Sequence, residues 1–410
     1  MTEPSPSPSV DRDPDRTTRT PPRLLSLVII AGTAVVAMNI FLPMLPQIAD
    51  GLGTTQATAQ YVLTLFLAAT GFAQLFIGPI SDRYGRRPVL LASTLVFLLG
   101  TLICIFAPTI EILLIGRVIQ ASSAANIALS RAIVRDMYDR NKAASMIGYV
   151  TMAMAVLPMV SPAMGGLLGE YYGWRSSFVA LFVIGLGVLA LIYFDVGEIH
   201  KPVHNSISDQ FSDYLRLLRE PAIWGYTSAA AFGSGAYFAF LGGAPFVGTE
   251  IVGMTPTDLG THFALVAVGY MIGNFLSGRF SERVGLEQMM VLGSIVACVG
   301  VSLAWVLMNG DNPMGIYLFG PMALVGAGNG LLLPNANAGI VSVRPELAGS
   351  ASGIAGFLQI GGGAALASLS GALISVENGA FPLYAIMFLS SLIGGISALM
   401  VYLGRKPATD

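Results

Sequence analysis

The sequence predicts an all-α polytopic membrane protein of twelve transmembrane helices, arranged as two pseudo-symmetric six-helix bundles. Three observations carry that expectation. Charged residues make up 11% of the 410, against about 25% in an ordinary soluble domain. Hydrophobic residues reach 54% and mean hydropathy is +0.71, more apolar surface than a soluble fold of this size can hide. Twelve stretches, in two matching sets of six, each supply the roughly 20 apolar residues that a helix needs to cross hydrocarbon. A net charge of −2 offers no footprint for nucleic acid. Cys104 and Cys298 lie far apart in apolar runs, so neither a disulfide framework nor a metal site is expected. Soluble enzyme, nucleic-acid binder and disordered scaffold are excluded.

Taken in order, residues 1–23 are rich in Pro, Ser and alternating charge, cannot build a core, and read as a disordered tail. The run that follows is too long for a signal-peptide core and lacks a small-residue cleavage site, so it counts as the first span. The spans fall near 24–46, 58–80, 89–107, 110–134, 144–168 and 176–196 in the first half, and near 222–247, 259–279, 288–308, 315–341, 348–375 and 381–403 in the second. Residues 197–221 form a polar linker whose Phe211, Tyr214, Leu215 and Leu218 share a helical face, as a helix lying on the membrane surface would. A short tail, 404–410, closes the chain.

Orientation follows from the 21 basic residues, which collect in loops on one side except for Arg117 and Arg131 within the fourth span and Arg175 in an outer loop. By the positive-inside rule both termini are expected to be cytoplasmic. The halves also echo each other. GPISDRYG (78–85) and GRFSERVG (278–285) both read G-x-x-S-acid-R-x-G, each after the second span of its half. Duplicated bundles place a cavity on the axis between them.

Several motifs resemble the major facilitator superfamily, and within it the Bcr/CflA-type (bicyclomycin resistance) twelve-helix drug:proton antiporters. They are GPISDRYGRRPVLL (78–91), LLIGRVIQASSAA (113–125) with Ala121 where that family has Gly, RAIVRD (131–136), LPMVSPAMGG (157–166), GGAPFVGTEIVGMTP (242–256) and FALVAVGYMIGNFLSGRF (263–280). The resemblance covers about 25–404. It implies a secondary transporter of the bacterial inner membrane that exports drugs or other small molecules by alternating access, coupled to protons. An uncoupled facilitator and a metabolite or amino-acid exporter of the same fold stay open as alternatives. No enzyme activity, cofactor or metal is expected; the implied partners are a small-molecule substrate, protons and lipids, with the chain a monomer. A membrane enzyme would need paired carboxylates or a nucleophile–base pair at one depth, and no P-loop is present to use ATP.

Gating candidates are Asp82, Arg83, Arg86, Arg135 and Asp136, read as a latch between the halves on the inner side or as an ordinary charged turn. Pro158, Pro162, Gly165 and Gly166 in the fifth span read as a hinge face or as plain close packing. Arg117 is an ionisable residue within a span and hence a functional candidate, expected to serve coupling or to register the fourth span against the first and fifth. Arg131 lies nearer the inner surface. No carboxylate occupies the middle of a span. Where the resembled subfamily has a span-one Asp, MNIFLP (38–43) carries Asn39, which does not titrate. His262, the only histidine in a span, reads as a proton carrier or as a satisfied polar residue. Lining candidates for the substrate cavity are Asn39, Tyr61, Arg117, Gln120, Asn126, Met152, Tyr237, Phe240, Asn335 and Gln359. With Arg117 unbalanced by an acid, the cavity is expected to suit neutral, zwitterionic or anionic substrates.

Overall fold

A computed structural model describes residues 22–138, 156–198, 214–310, 314–344 and 347–404, with Met146, Val150 and Met154 between the first two stretches. The tail at 1–21, Phe211 of the linker, the lining candidate Met152 and the tail at 405–410 lie outside the described residues. Among the described residues the chain is helical, with a single isolated bridge between Ser375 and Gly379 outside the helices. The first six helices are α1 (Leu24–Gly51), α2 (Gln56–Tyr84), α3 (Arg86–Phe106), α4 (Ile110–Met137), α5 (Leu157–Tyr172) and α6 (Arg175–Asp195). The second six are α7 (Pro221–Ile251), α8 (Pro256–Val284), α9 (Leu286–Met308), α10 (Gly315–Val343), α11 (Ala348–Leu373) and α12 (Phe381–Gly404).

Hydropathy locates these helices but not their ends. Three apolar runs were expected to stop at 80, 134 and 279, yet α2, α4 and α8 continue to Tyr84, Met137 and Val284. A charged last turn such as SDRY still closes its backbone bonds, and hydropathy reads the thickness of hydrocarbon rather than the length of a helix. Nor is α1 one uninterrupted helix. It is α-helical over Leu24–Asn39, tightens to a 3₁₀ turn at Leu42–Met44 and resumes at Leu45–Gly51, because Pro43 and Pro46 remove two donors from the ladder. A similar 3₁₀ turn, Ala121–Ser123, interrupts α4.

The two sharp corners after α2 and α8 share one backbone geometry. Gly85 has φ +95° and Gly285 φ +102°, a region open to glycine and closed to residues with a Cβ. The sequence echo at 78–85 and 278–285 is therefore an echo of structure.

Apolar stripes remain exposed on α3 (Leu95, Leu99, Phe106), α6 (Val183, Phe194), α9 (Ile295, Val299, Val306) and α12 (Leu389, Met400, Leu403), as lipid-facing helices require. Between them the buried core has an uneven plan. At the end far from Gly85 and Gly285 one cluster runs through both halves, taking in Phe41, Phe66, Phe178, Phe240, Phe263 and Phe319. At the arginine-rich end the core splits. Leu27, Leu90, Leu129 and Ile192 form one cluster, Ile223, Met290, Leu332 and Ile354 another, each confined to its own half. The halves are joined at the far end and separate at the arginine-rich end.

Candidate functional site

The junction between halves is made by α2 against α11 and by α5 against α8. Gln60 lies on Gly242 and Gly371 at the far end, Gly71 lies on Phe357 and Gly361, and Gln74 lies on Gly356. On the other pair, a Cβ at Gly165 would run into the Ile40 carbonyl of α1, and one at Gly166 into the Pro256 carbonyl of α8. The four residues read as a hinge thus include two that let α5 touch α1 in its own half and α8 in the other, the close approach that small residues permit in a membrane. A Cβ at Gly78, Gly278 or Gly349 would meet open space.

One polar bond closes this seam. Pro79 has no N–H, which leaves the Leu75 carbonyl of α2 without its helical donor. The Tyr214 hydroxyl, arriving from the connection between halves, donates to it at 3.0 Å and stands beside Gly353 of α11. Burial raises the Tyr214 phenol above its ordinary value. The neighbouring face differs from expectation: Leu217 is fully buried while Leu215 and Leu218 are exposed.

At the Gly85 corner the gating candidates assemble. Arg86, buried, pairs with Asp82 at 2.7 Å and with Asp136 of α4 at 3.1 Å. Arg86 and Arg87 donate their backbone N–H groups to the two oxygens of Glu198, at 3.1 and 3.0 Å. A carboxylate at the start of α3 also meets the positive end of its dipole. Asp82 and Asp136 belong to the first half and Glu198 lies just beyond α6, so none of these partners comes from the second bundle. Arg83 lies over the Tyr84 ring and, like Arg135, is exposed. Glu198 was not foreseen, although an acid just beyond the sixth span, facing a loop of arginines, was a readable signal.

Arg117 is fully buried and faces no cavity. Its Nε donates to the Val62 carbonyl at 2.9 Å and its Nη1 to the Ala37 carbonyl at 3.1 Å and the Gln120 amide oxygen at 2.7 Å. The guanidinium lies between the Phe41 and Phe66 rings, 4.3 and 4.2 Å from their centroids, and Gln120 donates onward to Thr101 of α3 at 2.8 Å. Arg117 thus registers α4 against α1, α2 and α3; the expected contact with the fifth span gives way to α2, whose Val62 carbonyl accepts from Nε.

Other lining candidates are likewise set between helices in this conformation. Asn39 is fully buried and donates to the Val35 carbonyl at 2.8 Å. Asn126 is fully buried, with Thr94 at 3.5 Å. Asn335 donates to Ser277 on α8 at 2.8 Å. Phe240 packs edge-to-face on Phe263 and Phe319 in the far-end plug. His262 sits near the far end of α8, its Nδ1 2.7 Å from the Asp258 carbonyl and its ring against Phe319. Tyr61 is exposed at the start of α2. Tyr237 and Gln359 are part-exposed, and Arg131 is exposed. The structure therefore leaves Arg131 exposed and Tyr237 part-exposed, and buries Arg117, Gln120 and Asn126 completely between helices of the first half.

Comparison with known proteins agrees with this geometry. The family model of the Major Facilitator Superfamily matches residues 27–367 and 245–410. An uncharacterized MFS-type transporter, YdgK of Bacillus subtilis, is 30% identical over 91% of this chain and 93% of its own. The bicyclomycin resistance protein homolog of Haemophilus influenzae is 28% identical over 84% and 88%, and multidrug resistance protein D of Escherichia coli is 28% identical over 88% and 91%. A crystallised peptide transporter, POT, shares the fold with a TM-score of 0.76 at 12% identity, over 93% of each chain. With two six-helix halves joined at one end and parted at the other, and a family match along nearly its whole length, the chain belongs to the Major Facilitator Superfamily, a family of membrane transporters of small molecules.

Proposed function

We propose that the protein exports drugs or other small molecules across the bacterial inner membrane by rocking its halves about the chamber between them, with protons supplying the energy. The observation that carries the reading is the core that is shared at one end and split at the other, which leaves the chamber open on the arginine-rich side. Loops rich in arginine face the cytoplasm, so substrate enters from inside, and both termini lie there. The working division is 24–196, a linker at 197–221 and 222–403, in a monomer. Bicyclomycin and other drugs of the kind named for its relatives are the first substrates to try.

Asn39 favours a second reading, an uncoupled facilitator, because an amide in the place of the span-one acid carries no proton. Flux of bicyclomycin into proteoliposomes under an imposed pH gradient separates the two. Flux that rises with the gradient supports exchange with protons, whereas flux indifferent to it supports the facilitator. For Asn39→Asp, a carboxyl at a fully buried site strengthens the dependence on the gradient about tenfold or more if coupling was lost with the acid.

A further inference from the structure

Going beyond the exporter reading, and for any cargo, we infer that Gln60 of α2 is the counterweight of the far-end gate, its amide making closure there costly enough that the closed end reopens. Placement gives the first support. A methyl at Gly242 of α7 would lie 2.7 Å from the Gln60 Nε2, and one at Gly371 of α11 would lie 2.5 Å from its Cγ. Both glycines belong to the second half, so the side chain is a knob of the first half seated in a hollow of the second. Gln60 is 6% exposed, although Ala57 and Tyr61 near it on α2 are open to the surface. What covers the amide is therefore the opposite half, and parting of the halves uncovers it.

The second support is energetic. The Gln60 Nε2 is buried and has no hydrogen-bond partner. Most residues that line the cleft beside it are apolar, among them Leu45 of α1, Pro245 and Phe246 of α7, and Ile374 just past α11. A buried donor left unpaired is costly, and contact with water relieves the cost. Closure of this end is otherwise favoured by the apolar cluster that runs through both halves, where Phe41, Phe66 and Phe178 share one core with Phe240, Phe263 and Phe319. Alternation between two states requires that neither be too deep. Apolar burial draws the end shut, and the Gln60 amide opposes it. One unpaired donor shifts a two-state population about tenfold.

Spin labels at Ala57→Cys and Val376→Cys, both exposed and in opposite halves, read the gate by double electron–electron resonance. The full-length protein is held in lipid nanodiscs, with Cys104 and Cys298 replaced by Ser. Gln60→Met, which keeps the unbranched length without the amide, is expected to lower the ratio of open to closed about tenfold, and Gln60→Leu to lower it as well. Gln60→Glu, whose carboxylate is costlier to bury, raises the ratio about tenfold or more. The thermal midpoint of Gln60→Met holds level or rises, since no internal bond is lost. The inference is overturned if the unmodified protein shows no open component, if Gln60→Met leaves the ratio unchanged or raises it, or if Gln60→Glu does not raise it. A lowered midpoint in Gln60→Met with an unmoved ratio would mark a purely structural role and overturn it equally.

Discussion

Arg117 shows what a single residue reveals and conceals. Its place in an apolar run marks it as special in the sequence, but its partners are the carbonyls of Val62 and Ala37, and backbone acceptors leave no trace in side-chain identity. The candidate was visible; its task was not. Removing the guanidinium strands Val62, Ala37 and Gln120 at once, and each buried group left without a partner costs about 1–3 kcal/mol. Arg117→Ala is therefore expected to lower the thermal midpoint in detergent by a large margin, and Arg117→Lys to recover little, because an ammonium is not a planar fork. An unchanged midpoint in Arg117→Ala would refute the registering role. Asn39 makes the converse case, since the missing acid is plain from the sequence, and that its amide donates back to Val35 in its own helix required coordinates.

Among elements, α2 and α5 set the seam. Hydropathy located the helices because a membrane span must bury its backbone bonds in a continuous apolar run. It was blind to the breaks in α1, where Pro43 and Pro46 withdraw donors, and in α4. The Tyr214 bond follows the same logic, for Pro79 is legible as a missing donor but the side chain that replaces it comes from 139 residues away. Tyr214→Phe is expected to destabilise the seam by about 0.5–1.5 kcal/mol. In Pro79→Ala, where α2 regains its own N–H, the same change should cost almost nothing, and a double-mutant cycle in thermal unfolding measures the difference. Because burial raises the Tyr214 phenol, its stabilising contribution is complete below the ordinary phenol value and declines only as pH climbs beyond it. For α5, a methyl added at Gly166 presses on Pro256 across the seam. Gly166→Ala should loosen the far end, raising the reactivity of Gln60→Cys toward an impermeant maleimide about tenfold. No change in labelling would mean that α8 yields without parting from α5.

At the scale of the molecule, duplication explains why so much of the architecture could be read in advance. The repeated G-x-x-S-acid-R-x-G fixed the equivalence of the two corners, and loop arginines fixed their common side. The chamber's lining was less legible because twelve helices leave many polar residues that bind helix to helix, and only coordinates separate the exposed Arg131 and part-exposed Tyr237 from the buried Asn126 and Asn335.

The twin corners are built alike and dressed differently. Around Gly85, Arg86 and Arg87 are braced by Asp82, Asp136 and a part-solvated Glu198, whereas beyond Gly285 the fully buried Glu287 accepts the Tyr226 hydroxyl of α7. Dissolved salt weakens charges that water can reach and spares those it cannot. Raising ionic strength should therefore quicken amide exchange at the start of α3 well before that of α9, making the first bundle tunable by its surroundings and leaving the second indifferent to them.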